Sequence, residues 1–189
     1  EGRIAYKETI KKSVVGIGHY EPLRHYAEVQ LQLSPLPIGS GLKFITDLRV
    51  DELDTNWQRL ILTHLKEKNH IGVLTGSPIT DIEIRLLAGK AHLKHTEGGD
   101  FRQATYRAIR HGLMKSESVL LEPFYKYQVT VPENCMGRVM SDFERMHGSC
   151  FLKNNISGFV TLEGRVPVAT SKNYANDLRI FSKGQGVIS

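Results

Sequence analysis

The sequence contains little cysteine and no long apolar run, and these shortages exclude several classes of protein. Only Cys135 and Cys150 occur among 189 residues, and neither is flanked at metal-ligand spacing. No disulfide framework or cysteine zinc site is therefore expected, and both thiols are predicted to be small core residues. No apolar segment approaches the ~20 residues of a transmembrane helix, and residues 1–4 lack the apolar core of a signal peptide. We therefore expect a soluble, cytoplasmic chain without a membrane partner.

Homopolymer tracts, proline-rich runs and Ser/Gly linkers are also absent. Hydrophobic residues make up 40% of the chain and charged residues 24%, a balance that indicates a folded protein rather than a disordered one. The length suits one domain or two small ones. No Gly-x-x-x-x-Gly-Lys-Ser/Thr phosphate loop occurs, so this chain is not expected to hydrolyse a nucleoside triphosphate.

The formal net charge is +5, and eight histidines can add positive charge beside phosphates. This moderate basic excess favours a polyanionic partner without identifying one.

The first two thirds of the chain predict a mixed or antiparallel sheet covered by helices. Apolar and polar residues alternate from Ala27 to Leu33, the period of a strand with one buried face. Further extended runs cover residues 42–50 and 79–87. A helix is predicted with Asp54 or Thr55 as its cap and an apolar stripe made of Trp57, Leu60, Ile61 and Leu65.

Asp100 with Gln103 suggests a capping box that begins a second helix. Its predicted buried face consists of Phe101, Ala104, Thr105, Ala108, Ile109 and Leu113. Its other face presents Arg102, Arg107 and Arg110, which serve either as a solvated face or as phosphate contacts.

From Leu120 the pattern restarts, with a strand through residues 125–131 and a helix that begins at Pro132. Two strands are predicted around an Asn154-Asn155 turn, followed by a last helix over residues 174–181. This β-α-β-β-α order is typical of a ferredoxin-like unit without its last strand, which Val187-Ile188 begins incompletely. The predicted core aromatics are Tyr125, Tyr127, Phe143, Tyr174 and Phe181.

Several phrases resemble the last two domains of translational GTPases of the elongation factor G class. Gly2–Ile10 resembles the opening of the fourth domain, Val-Ala-Tyr-Arg-Glu-Thr-Ile. Leu120–Pro123 resembles the Leu-Leu-Glu-Pro that begins the fifth domain. Tyr174–Arg179 and Lys183–Gly186 are similar to Tyr-Ala-Thr-Asp-Leu-Arg and Gln-Gly-Arg-Gly. The resemblance covers nearly the whole chain.

Within this class, Ser34–Gly41 resembles the Ala-Pro-Leu-Pro-Leu-Gly-Ser-Gly of the tetracycline-resistance ribosomal protection proteins. Asp100–Arg102 also resembles that branch, and the segment from His19 to Val29 keeps little of the elongation factor G phrase. Ala91–His95 departs from the Tyr-Tyr-Ser-Pro-Val of the protection branch. We therefore predict a protection-like protein, with a divergent elongation factor G acting in translocation as the alternative.

The resemblance implies an α+β chain of two domains. Residues 1–119 would form a fourth domain shaped like domain 2 of ribosomal protein S5, and residues 120–189 a ferredoxin-like fifth domain. The implied partner is the ribosome, with small-subunit rRNA at the decoding region and the GTPase centre of the large subunit. GTP and Mg would belong to an N-terminal domain absent from this chain, which itself is expected to be a monomer without a cofactor.

The resemblance also places the ribosome-facing tip at the loops over residues 89–99 and 18–26. Cations and ring nitrogens there suit phosphates, Tyr20 and Tyr26 can stack on unpaired bases, and an exposed leucine can wedge against one. The predicted RNA-binding residues are Arg24, His25, Tyr26, Lys90, His92, Leu93, Lys94 and His95.

Two other classes of function remain as alternatives. His19, His25, His92 and His95 would form a metal-binding or catalytic centre if they converged, but none has the spacing of a helical metal site. We therefore predict no catalytic and no metal-binding residue. A protein-interaction module would require a surplus apolar stripe, which the sequence does not show.

Overall fold

The computed structural model describes residues 3–189, so Gly2 of the opening motif lies outside the described part. The contacts divide the chain into two compact units. The first unit is Tyr6–Leu121, and the second is Glu122–Ser189 with the described residues before Tyr6. Over the described residues, no helix has the length and apolarity needed to cross a membrane.

The first unit contains six strands and two helices. In chain order they are β1 (Lys7–Ile10), β2 (Val14–Tyr20), β3 (Ala27–Pro35), β4 (Leu42–Ile45), α1 (Thr55–Lys66), β5 (Ile82–Ala91), α2 (Gly98–Lys115) and β6 (Ser118–Leu121). Four strands form a sheet in the order β2-β3-β5-β4, in which only β4 and β5 run parallel. The predicted mixed sheet is confirmed. The remaining two strands, β1 and β6, pair with each other.

One face of the four-stranded sheet is buried because β3 and β5 alternate apolar and polar residues. Leu31, Leu33 and Ile84 are fully buried, and they pack in one cluster with Ile61 of α1 and Phe101 of α2. Each such side chain contributes about 1.5 to 3 kcal/mol through burial. The six residues predicted for the buried face of the second helix are all buried.

Several predicted bounds are corrected. The run over residues 42–50 is extended only to Ile45, and the strand predicted over residues 79–87 spans Ile82–Ala91. β2 was not predicted, and it converts the first third of the expected loop over residues 18–26 into strand. α2 begins at Gly98, where Glu97 is the N-cap and Asp100 completes the capping box as its third residue.

The helix α2 lies directly on β2 because the facing residues are small. A Cβ at Gly16 would lie 2.0 Å from the carbonyl oxygen of Ala108, and one at Gly18 would lie 1.7 Å from that of Ala104. Since bonded backbone cannot yield to such overlaps, these positions require glycine.

Three side chains of α2, spaced four residues apart, also bind the free backbone edge of β2. Arg107 donates to the carbonyl of His19 at 2.9 Å, and Lys115 donates to that of Val15 at 2.8 Å. Between them, Nδ1 of His111 accepts the N–H of Ile17 at 2.9 Å. The edge strand is thereby hydrogen-bonded on its outer side, which blocks pairing with another strand.

Two buried carboxylates hold loops of this unit. Glu8 on β1 accepts hydrogen bonds from the backbone of Leu74, Thr75 and Ser77 at 2.7, 3.1 and 3.0 Å. Asp81 accepts the N–H groups of Gly39 and Gly41 at 3.1 and 2.9 Å. Asp81 thus fixes the turn that carries the phrase resembling the protection branch.

The second unit is a four-stranded sheet with two helices. Its elements are β7 (Phe124–Pro132), α3 (Met136–Arg145), β8 (Ser149–Ile156), β9 (Phe159–Pro167), α4 (Tyr174–Phe181) and β10 (Val187–Ile188). The order β10-β7-β9-β8, with every pair antiparallel, is that of a ferredoxin-like fold. The last strand is present as two residues paired with Val129 and Thr130. The α+β prediction is confirmed.

Three details of the second unit differ from the prediction. The turn between β8 and β9 is Ser157-Gly158, with φ of 54° and 82°, while Asn154-Asn155 lies within β8. Tyr125 is exposed rather than in the core. Cys135 and Cys150 are only half-buried, although burial suffices to raise the pKa of the Cys150 thiol.

The buried carboxylate of Asp142 joins the two helices of this unit. The Asp142 carboxylate accepts from Arg138 at 3.0 Å, from Arg145 at 2.8 Å and from the Tyr174 hydroxyl at 3.1 Å. Burial, together with this neighbouring carboxylate, raises the pKa of Tyr174. The phenol therefore stays neutral and serves as a hydrogen-bond donor.

Candidate nucleic-acid interface

Two connections meet at one end of the first unit. β3 begins and β5 ends at paired residues, Ala27 and Ala91, so the loop before β3 lies beside the loop after β5. The N–H of Tyr26 donates to the carbonyl of His95 at 3.1 Å, and the Thr96 hydroxyl donates to the carbonyl of Tyr26 at 2.7 Å. We call residues 21–26 and 90–97 together the tip.

The second tip loop is a tight turn. The N–H groups of His95 and Thr96 both donate to the carbonyl of His92 at 3.0 Å, and the Thr96 hydroxyl accepts the N–H of His92 at 2.6 Å. The imidazoles of His92 and His95 stack with centroids 4.6 Å apart. This turn places Leu93 at the apex, where its side chain is fully exposed at 105%.

A second leucine is exposed at the tip and was not predicted. Leu23 is 90% exposed, between Pro22 and Arg24 in the neighbouring loop. An apolar residue within the predicted loop over residues 18–26 was the available signal. Two leucines that no core requires are therefore presented at one end of the molecule.

The predicted cations of the tip differ in how far their charge is neutralised. Lys90 lies 3.6 Å from the carboxylate of Glu28, which reduces its contribution. Arg24 and Lys94 are exposed, and among residues 3–189 no carboxylate oxygen lies within 4.0 Å of either cation. Arg24 also has a positive φ of 66°, which turns the loop at that residue.

His25 is the predicted residue with the most fixed position. Its Nδ1 lies 3.0 and 3.2 Å from the two oxygens of Asp100, whose side chain is only 5% exposed. Asp100 also accepts the N–H of Glu97 at 2.9 Å, so one carboxylate begins α2 and holds the imidazole. His25, His92 and His95 line one shallow cleft, in which His25 keeps Nε2 available as a hydrogen-bonding group.

The two predicted stacking tyrosines have different surroundings. The Arg107 guanidinium covers the Tyr20 ring at 5.1 Å, so this ring already has an intramolecular partner. Tyr26 is half-buried and meets the His19 ring edge-on at 5.4 Å. His19 itself binds Glu21 at 2.7 Å and does not line the cleft that the other three histidines share. Within the described residues, no three metal-ligating side chains converge.

The arginines of α2 fall into two groups. Arg102 binds Glu67 at 3.2 Å, and the Tyr106 hydroxyl also donates to this carboxylate. Burial and the bond to Glu67 raise the pKa of Tyr106 to about 12. Arg102 therefore belongs to the contact between α1 and α2, whereas Arg107 and Arg110 lie on the exposed flank.

The phrase at residues 34–41 lies far from the tip. β3 begins at the tip and ends at Pro35, and nine residues of strand extend over about 30 Å. The segment that resembles the protection branch and the proposed RNA-binding residues therefore occupy opposite ends of the sheet.

Comparisons with known proteins agree with this architecture. A family model described as elongation factor G, domain IV, matches residues 2–117, and one described as elongation factor G C-terminus matches residues 119–189. Elongation factor G of Aquifex pyrophilus is 29% identical over 188 residues, which are 97% of this chain and 27% of that relative. The crystal structure of a Thermus thermophilus protein matches this chain with a TM-score of 0.88 and 26% identity. The match covers 100% of this chain and 29% of the Thermus thermophilus chain.

The chain thus spans about a quarter of the length of these relatives. The domain models follow each other in the order that the sequence motifs predict, and together they cover nearly every residue. The chain belongs to the elongation factor G family and comprises its fourth domain followed by its C-terminal domain.

Proposed function

We propose that this chain is the ribosome-binding arm of a translational GTPase, and that its tip contacts small-subunit rRNA at the decoding region. The observation that carries the proposal is the tip itself, where Arg24 and Lys94 have no carboxylate partner among the described residues. Cations of this kind bind phosphates and fix position without reading sequence. GTP and Mg would act in a part of the protein outside this chain, and the second unit would face the large-subunit GTPase centre.

The other tip groups fit folded RNA with unpaired bases. Leu23 and Leu93 offer apolar contact to a base, and the cleft of His25, His92 and His95 offers ring nitrogens to phosphates or ribose hydroxyls. Such an arm contributes differential binding, because it stabilises the ribosomal state in which its target is accessible.

At finer detail, we propose that the complete protein protects ribosomes against tetracycline. The phrase at Ser34–Gly41 supports this proposal. Translocation is the second candidate, favoured by the likeness to elongation factor G of Aquifex pyrophilus. Tetracycline tolerance of cells that produce the complete protein separates the two, since a translocase confers none.

The tip is tested by co-sedimentation of the chain with small ribosomal subunits. The variant Arg24→Gln/Lys94→Gln removes two exposed charges without touching the core, and we expect binding to weaken at least tenfold at about 0.1 M salt. The matched control is Arg59→Gln/Lys66→Gln, which removes the same charges from exposed positions of α1. Equal binding by the tip variant and the wild type would remove the tip from the proposal.

A further inference from the structure

The charged residues on the exposed flank of α2 are all basic. Among the residues of α2 the single acid is Asp100, which is buried at the N-terminus. Arg107, Arg110 and Lys115 are exposed along the helix, together with His111. A helix face that only contacts solvent usually carries both acidic and basic residues, so an exclusively basic face indicates an acidic partner.

Two of these cations are ordered without being neutralised. Arg107 and Lys115 bind carbonyl oxygens of β2, which carry no net charge. A cation held in this way keeps its full charge, whereas Arg102 shares its charge with Glu67. Because a guanidinium has five N–H donors and an ammonium three, both groups retain donors for a further acceptor.

The charge continues beyond the end of the helix. Ser116 donates to the carbonyl of Lys12 at 2.9 Å, which brings the turn before β2 alongside α2. Lys11 and Lys12 share one carboxylate, that of Glu117, at 3.6 and 3.8 Å. We define the basic strip as the five cations Lys11, Lys12, Arg107, Arg110 and Lys115. Among the described residues, Glu117 is the one carboxylate that lies within 4.0 Å of any of them.

The form of the strip indicates which nucleic acid it fits. α2 is one continuous helix, and Arg107, Arg110 and Lys115 lie along its flank over about 12 Å at the helical rise. The aromatic rings nearby are engaged, since Tyr20 lies under Arg107 and Tyr106 binds Glu67. Proteins bind single-stranded RNA by stacking its bases on exposed aromatic rings. An RNA duplex instead presents its phosphates and ribose hydroxyls to such a surface.

We propose that the basic strip is a second RNA-binding surface, which binds the phosphate backbone of double-stranded RNA. It adjoins the tip through Arg107 and Tyr20, so one RNA target can follow the molecule from the tip loops along α2. The proposal depends on the flank of α2 and stands independently of what the tip binds.

Fluorescence anisotropy with a labelled RNA duplex of about 16 base pairs tests the strip without ribosomes. The logarithm of the binding constant falls with the logarithm of the salt concentration, with a slope of about −0.9 for each phosphate contact. At about 0.1 M salt, each contact therefore raises the affinity roughly eightfold. The variant Arg110→Gln/Lys115→Gln should therefore bind roughly 60-fold more weakly, and its salt slope should fall by about 2. Arg110→Gln alone should lose roughly eightfold in affinity. Arg110 is exposed and makes no ion pair among the described residues, so its substitution leaves the fold intact.

The control Arg59→Gln/Lys66→Gln should retain wild-type affinity for the duplex. If this control lost as much affinity as the strip variants, the loss would come from the lower net charge of the protein and not from the strip, and the proposal would be overturned. Unchanged binding by both strip variants, or a preference for the single strand, would overturn it as well. The tip variant Arg24→Gln/Lys94→Gln distinguishes the two surfaces. It should lose binding to the small subunit and keep wild-type affinity for the duplex, because it leaves the basic strip unchanged.

Discussion

Single buried carboxylates set the local shape of the first unit, and Glu8 is the clearest case. It is 1% exposed and takes four hydrogen bonds, three from backbone N–H groups and one from the Thr75 hydroxyl. Burial alone would raise its pKa, but the bonds from Leu74, Thr75 and Ser77 together outweigh burial and lower the pKa. The ion is therefore a structural element that ties β1 to the loop before β5.

We expect Glu8→Gln to destabilise the first unit by about 1 to 3 kcal/mol at neutral pH, because an amide nitrogen would face donors. Trp57 is the only tryptophan, so its fluorescence during urea unfolding reports on this unit alone. Glu83→Gln is the control, since that half-exposed carboxylate takes one bond from Arg85.

The stabilisation by Glu8 also has a defined pH dependence. The folded-state pKa is below the unfolded value, so the stabilisation is present above the ordinary pKa of about 4.3 and is lost as pH falls through the folded value. The difference between wild type and Glu8→Gln should consequently shrink below about pH 4. A difference that stayed constant with pH would contradict an ionised Glu8.

At the scale of elements, the close approach of β2 and α2 depends on glycine in β2. Gly18→Ala would place a methyl group 1.7 Å from the Ala104 carbonyl, and we expect a loss of about 3 kcal/mol or more, beyond ordinary overpacking. The matched control is Gly99→Ala within α2, where nothing lies within 4 Å and about 0.5 to 1 kcal/mol should be gained. Urea unfolding followed by Trp57 measures both, and equal stabilities would disprove the packing constraint.

The turn between β8 and β9 offers a stabilising substitution. Both of its central residues have positive φ, the conformation in which Asn-Gly is the favoured pair. Ser157→Asn should therefore raise the thermal midpoint of the second unit by a few degrees, while Gly158→Ala should lower it. Methyl NMR signals of Val160 and Leu162 follow this unit specifically. A lower midpoint for Ser157→Asn would refute the turn assignment.

The elements found from sequence were those with a regular apolar period. β3 alternates without interruption, and the six residues that the apolar stripe of α2 predicted as buried are all buried. The strand β2 was not predicted because its buried face carries Gly16 and Gly18 in place of larger apolar residues. Their reason for being glycine is contact with α2, which a local pattern cannot reveal.

At the scale of the whole molecule, sequence motifs identified the family, while the site depends on contacts between distant residues. The resemblance located both tip loops, and they are adjacent because Ala27 pairs with Ala91. The bond between His25 and Asp100 joins residues 75 positions apart, so no local pattern could assign Asp100 to the site. The partial neutralisation of Lys90 by Glu28 is likewise a property of neighbouring strands.

The pairing of β1 with β6 joins the two ends of the first unit, Lys7 opposite Leu121. During synthesis the chain emerges from its N-terminus at about 5 to 20 residues per second, so β1 waits several seconds for its partner. Until then its backbone edge is open, and Glu8 can hold it only after residues 74–77 have emerged. The pairing of β1 with β6 thus completes the first unit last, and release of the chain before Leu121 would leave one edge of β1 open to another strand.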